Sequence, residues 1–129
     1  MTAHGFESID GLVEAYYQGM YAADGELLRR AFDASARICG FFADRYVEAD
    51  LDQFISRLTS GPSPQSLGQP YHLEVITTLT DGSIATVVVR DSLHGMTFVD
   101  HLSLIRGDKS WKIVSKSYTT PTALPTGRG

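Results

Sequence analysis

The sequence predicts an α+β domain in which N-terminal helices pack on one face of a strongly curved antiparallel sheet. Three observations carry this. Helical periodicity is confined to the N-terminal half, four long β-rich runs occupy the C-terminal half, and Asp81-Gly82, His94-Gly95 and Gly107-Asp108 stand between those runs as hairpin turns. Helices segregated from a run of hairpin-connected strands are the pattern of an α+β layer architecture.

Ile9, Leu12, Val13, Tyr16, Tyr17 and Met20 recur at helical spacing behind Ser8, a residue able to cap, so the first helix is expected from residue 9 to about 22. Asp24 caps a short second helix through Phe32, with Glu26 in its first turn and Arg29 and Arg30 later, which suits the helix dipole. Ala36 to Phe42 and Tyr46 to Glu48 read as two short strands around an Asp44-Arg45 turn. Asp50 followed three residues later by Gln53 is a capping-box pattern, ahead of Leu51, Phe54, Ile55 and Leu58 on one face and a stop at Gly61. Gly61 to Pro70 holds three prolines with Gly and Ser, and is expected to be a mobile loop bordering the mouth of the fold. Tyr71–Thr80, Ser83–Leu93, Met96–Arg106 and Lys109–Thr119 then read as an antiparallel meander. The twist of so long a sheet would curl it around the first helix and leave a cavity at the open end.

Composition sets the remaining bounds. A chain of 129 residues is one domain, with an ordered core expected at about 8–119 and a flexible tail at 120–129. No apolar run approaches the ~20 residues that cross a bilayer. The first fifteen residues hold no Lys or Arg, so no signal peptide is read and a cytoplasmic location is expected. A net charge of -4 with no basic cluster argues against nucleic acid as a partner. The single cysteine, Cys39, has no disulfide or metal partner in the sequence and is expected in the core. His4 reads as an exposed terminal residue, His72 as a sheet residue and His94 as a turn residue. No pair of histidines has metal-ligand spacing, so neither a metal nor a cofactor is expected.

Tyr16-Tyr17-Gln18-Gly19-Met20-Tyr21-Ala22-Ala23-Asp24, Leu28-Arg29-Arg30-Ala31-Phe32, Phe98-Val99-Asp100-His101-Leu102-Ser103-Leu104 and Trp111-Lys112-Ile113-Val114 occur in this order from about Ile9 to Tyr118. Together they resemble the nuclear transport factor 2-like superfamily, and more narrowly its branch of putative lumazine-binding proteins. The resemblance implies a cone-shaped fold with a pocket, a scaffold that hosts isomerases, dehydratases, cyclases and plain binding modules. Polyketide cyclases and ketosteroid isomerase are distant members of this kind. The isomerase pairs a helical Tyr and a late-strand Asp as oxyanion donors with a separate carboxylate base. Tyr16 and Asp100 stand at the two donor positions, whereas the base position falls on Gly40, which has no side chain to take a proton. Asp33, Asp44 and Glu48 are near it in sequence but not at the matching position.

Strand alternation sets Phe98, Asp100, Leu102 and Leu104 on one face and Thr97, Val99, His101, Ser103 and Ile105 on the other. A carboxyl among large apolar groups either becomes protonated or requires a cation. Asp100 is therefore either a pocket donor or a structural partner of Arg90 or Arg37. Candidate ligand-binding residues are Tyr16, Asp100, Met20, Phe98, Trp111 and Arg90, around a small apolar or aromatic molecule. The alternatives are an isomerase, dehydratase or cyclase-like enzyme, and a non-catalytic interaction module. The outer face bearing Thr97, Val99, His101, Ser103 and Ile105 is expected to form a homodimer.

Overall fold

The computed structural model describes residues 5–121. Its elements are α1 (Ile9–Ala22), α2 (Gly25–Ala31), β1 (Phe32–Phe42), β2 (Arg45–Asp50), α3 (Leu51–Leu58), β3 (Leu73–Asp81), β4 (Ile84–Leu93), β5 (Met96–Gly107) and β6 (Ser110–Thr119). The strands form one sheet in the order β2-β1-β6-β5-β4-β3, and the helices lie against one face of it. The expected meander holds from β3 to β6. β1 then joins β6 in parallel, so the sheet is mixed. That junction carries the N-terminal hairpin around to the far edge and folds the helices over the inner face.

Helix ends follow local chemistry. Ser8 Oγ accepts from the Gly11 N–H at 3.0 Å, and α1 stops at Ala23 in a left-handed conformation, φ 53. Asp24 accepts from the Leu27 N–H at 3.1 Å to open α2. α2 ends one residue short of the expected Phe32, whose backbone is extended. The Phe32 ring packs edge-on against Tyr16 and Phe54 at 5.8 and 5.7 Å, so tertiary packing overrides the helical pattern there. Asp50 and Gln53 complete both halves of the capping box of α3, at 2.8 and 2.9 Å. Such caps contribute about 1 kcal/mol each. α3 yields at Thr59 rather than at Gly61: the Thr59 hydroxyl donates to Ile55 O, and the Ser60 N–H and hydroxyl turn back to Arg57 O.

The core is the sheet's inner face closed by α1. Leu12, Tyr16, Leu28, Phe32, Val87, Leu102, Leu104 and Ile113 are all withdrawn from water, and burying each apolar side chain stabilises the fold by roughly 1.5–3 kcal/mol. Cys39 departs from expectation. It is only half-buried, because Ile38 and Gly40 take the inward positions of β1. Within the 61–70 loop, residues 64–68 form consecutive turns. Gln65 N–H donates to Tyr21 O, Gln69 O accepts from the Tyr21 hydroxyl and Gln69 Oε1 accepts from the His94 N–H. This loop ties the end of α1 to the β4–β5 turn, and none of its residues lines the cone's cavity. Thr120 belongs to the folded part: it is buried, its N–H donates to Phe41 O and its Oγ1 accepts from Ala43 N–H. The rest of the expected tail, 122–129, and His4 lie outside the described residues. Among the described residues no helix is long and apolar enough to cross a membrane.

Candidate functional site

The open end of the cone holds a cavity of about 170 Å³, comparable to the ~150 Å³ cavities that take up a benzene ring. Apolar walls come from four elements: Met20 on α1, Phe54 and Leu58 on α3, Leu93 on β4 and Phe98 on β5. Three ionisable groups reach into it, Asp91, Asp100 and Lys116, and Arg57 stands with Phe42 and Tyr118 at its edge.

Asp100 is 1% exposed, and its Oδ2 accepts a 2.6 Å hydrogen bond from the Tyr16 hydroxyl across the core. Burial first, and the Asp100 charge second, hold the Tyr16 phenol well above its ordinary range, so this tyrosine keeps its proton and donates it to Asp100. The cavity wall is formed by Asp100, with Tyr16 behind it.

Asp91 is fully buried on β4, directly opposite Phe98, while Asp100 is opposite Val89. The two carboxyls are thus diagonal neighbours on the same face of adjacent strands. As two carboxylates they could not bond each other, and Asp91 Oδ1 and Oδ2 and Asp100 Oδ1 would all be buried without a partner. A single proton resolves this. Burial above all, then the Asp100 charge and the hydrogen bond to it, raise the Asp91 pKa to about 9, against a smaller opposing pull from Lys116. Near neutral pH Asp91 is therefore the neutral member and Asp100 the accepting one, a division two adjacent buried carboxyls are forced to make.

Lys116 is 6% exposed. Its ammonium lies 4.7 Å from the Phe54 ring centroid, 5.0 Å from Tyr16 and 5.2 Å from Tyr118, with the Met20 sulfur at 3.4 Å. Aromatic faces carry partial negative charge and hold the cation within the site. Asp91, Asp100 and Lys116 then leave the deep part of the site with no net charge while Asp91 keeps its proton.

Of the residues singled out from sequence, Met20, Phe98 and Asp100 line the cavity, and Tyr16 reaches it through Asp100. Arg90 and Trp111 are corrections. Arg90 faces the other side of the sheet, where it pairs with Glu74 at 3.0 Å, because the inward phase of β4 belongs to Val87, Val89 and Asp91. Arg37 is likewise turned outward, 3.6 Å from Glu48, so neither arginine serves Asp100. Trp111 sits at the opposite end of β6, where its N–H donates to Phe6 O at 2.7 Å and Arg106 covers its ring. Asp33 is occupied by Ser35, and Glu48 by Arg37 and Tyr46, all away from the cavity.

Asp91, Lys116 and, at the edge, Arg57 are polar groups that sequence reading missed. The signal for Asp91 was present in the regular alternation Ala85, Val87, Val89, Asp91, Leu93. For Lys116 it was masked by a bulge. Leu104 pairs with Ile113 but Ser103 with Ser115, so Val114 is an extra residue that reverses the phase of β6 and turns Lys116 and Tyr118 inward. Gly40 stands beside Tyr118 in the parallel β1–β6 pair, and a Cβ there would lie 2.3 Å from Tyr118 O and 2.5 Å from Tyr118 Cγ. The backbone admits no side chain where an isomerase base would have to stand.

A family profile described as putative lumazine-binding matches residues 4–119. Among solved structures, a nuclear transport factor 2-like protein of unknown function from Silicibacter pomeroyi is 26% identical, with 88% of this chain and 92% of that chain covered at a TM-score of 0.80. Proteins described in the same terms from Shewanella baltica and Methylobacillus flagellatus are each 23% identical. They cover 88% of this chain and 90% and 91% of theirs, with TM-scores of 0.75 and 0.74. No curated protein matches the chain.

Proposed function

Since the chain belongs to the putative lumazine-binding family and has the nuclear transport factor 2-like fold, we propose that it binds a small, largely apolar or aromatic molecule in the open end of the cone. The observation that carries this is a pair of buried carboxyls at the wall of an otherwise apolar cavity, where the one shared proton still leaves an Asp91 oxygen without a partner. Buried polar atoms are nearly always paired, so such orphans mark where a ligand's polar atom belongs. With its proton donated to Asp100, Asp91 offers its remaining oxygen to a donor on the ligand, and Met20, Phe54, Leu93 and Phe98 enclose a ring. Binding without turnover is favoured over isomerisation because Gly40 leaves the base position empty.

The test is an NMR titration of the amide spectrum with benzamide, a ring bearing both a donor and an acceptor. Shifts should concentrate at Leu93, Phe98, Asp100 and Tyr118, and Asp100→Leu should abolish them while a thermal melt reports that the variant is folded. Shifts scattered over the outer sheet face, or none at millimolar benzamide, would refute the pocket reading.

A second reading concerns assembly. Ile84 and Ile105 are cross-strand partners on the outer face and, with nearby Leu79, are 57%, 43% and 65% exposed. A second copy of the chain placed face to face would cover this patch, together with Val99 and the residues that alternate with it on β5. Sedimentation should give a dimer at micromolar concentration and a monomer for Ile84→Lys. A monomeric parent chain would rule this out.

A further inference from the structure

We infer that the ligand is an organic anion, with its hydrophobic body in the cone and its carboxylate at the rim against Arg57 and Arg45. The inference rests on the pocket reading above and specifies the chemical class that pocket takes.

A second recess of about 300 Å³ is lined by Phe42, Arg45, Val47, Arg57 and Tyr118. Phe42, Arg57 and Tyr118 belong to both it and the cone's cavity, so the two adjoin. Arg45 opens β2 and Arg57 sits in the last turn of α3, which is how two separate elements bring two arginines to one recess. Arg29, Arg37 and Arg90 each have a carboxylate partner, at 2.7, 3.6 and 3.0 Å. Arg45 and Arg57 have none within 4.0 Å among the described residues, in a chain that carries a net charge of -4. Their planar donor forks match the geometry of a carboxylate.

The depth of the cavity has no such surplus of positive charge. Asp91 and Asp100 form its polar wall, and the Lys116 ammonium is already held by three rings and a sulfur. An anion placed there would lie against Asp100, whereas at the rim it meets two free cations. The polarity of the site therefore sets the orientation, with ring inward and carboxylate outward.

3-(4-Hydroxyphenyl)propionate and its uncharged amide, 3-(4-hydroxyphenyl)propanamide, have the same ring, with a phenol donor for the deep carboxyl oxygen, and differ in charge at the tail. Titration of the full chain with each by NMR should show the acid binding about tenfold more tightly, the scale of one charge-assisted hydrogen bond. That preference should shrink as salt is raised. In the Arg45→Gln, Arg57→Gln double variant, whose two sites are solvent-exposed, acid and amide should bind alike. Equal affinity of the parent chain for both probes would overturn the anion inference and leave the pocket reading intact. Failure of both probes to bind at millimolar concentration would overturn both. A preference for the acid that survives in the double variant would place the anion elsewhere and overturn the assignment to these arginines.

Discussion

The two ends of one sheet face are built from the same strands and have opposite physical character. At the closed end Val87, Leu102, Leu104 and Ile113 interdigitate with Leu12, Leu28 and Phe32, every one at or below 1% exposure. At the open end the same strands present Asp91, Asp100 and Lys116, also buried. Depth alone therefore does not decide what a position costs. The closed end stabilises the fold through dispersion and the loss of hydrated apolar surface. The open end opposes folding through desolvation, partly offset by the Tyr16 hydrogen bond and the aromatic enclosure of the lysine. Binding sites commonly carry such a local penalty, since a polar group already desolvated needs no further dehydration when a ligand arrives.

The contrast is sharpened first by deleting mass at the closed end. Leu102→Ala removes a fully buried side chain from the centre of β5 and should cost about 2–5 kcal/mol in urea denaturation. A loss below ~1 kcal/mol would mean that the closed end is not the stabilising half. The next effect comes from the seam between the ends: Gly40→Ala forces a methyl into Tyr118. We expect a loss of roughly 1–3 kcal/mol, with the Tyr118 and Thr119 amides shifting most in NMR spectra.

The third concerns protons. The folded-state pKa of Asp91 lies above the ordinary carboxylate value near 3.9, so the folded chain binds more protons than the unfolded one between that value and about 9. The contribution is fully present below the unfolded pKa and is lost as pH rises through the folded one. Stability should fall by at most about 1.4 kcal/mol per pH unit from this group. In Asp91→Asn, whose amide still donates to Asp100, melting temperature should decline less between pH 5 and 9 than in the parent chain. Parallel profiles would show that Asp91 is not the proton-holding member. The smallest effect is expected on the outer face: Arg90→Ala breaks an exposed ion pair with Glu74 and should change stability by less than ~1 kcal/mol. A large loss there would restore Arg90 to the site.

Much of the fold was legible because it rests on local chemistry. Ser8, Asp24 and Asp50 cap helices through atoms three residues away, and such contacts are written directly in the sequence. The β4 and β5 phases were equally legible, since unbroken alternation fixes which side chains face inward. The same alternation that marked Asp100 on β5 runs through Asp91 on β4, which could have been found by following Val87 and Val89. The proximity of Tyr16 to Asp100 was suggested by family resemblance, because no local rule links residues 84 apart in the chain.

What the chain determined by itself, then, is where helices begin, where hairpins turn and which residues of a regular strand face inward. All of these depend on neighbours within a few residues. The tertiary structure alone decided the rest: the Val114 bulge that turns Lys116 inward, the parallel β1–β6 seam that allows only glycine at position 40, and the presence of Arg45 and Arg57 in one recess. Each depends on the register or packing of segments distant in sequence, and register is settled by the summed burial of whole strands rather than by any one residue.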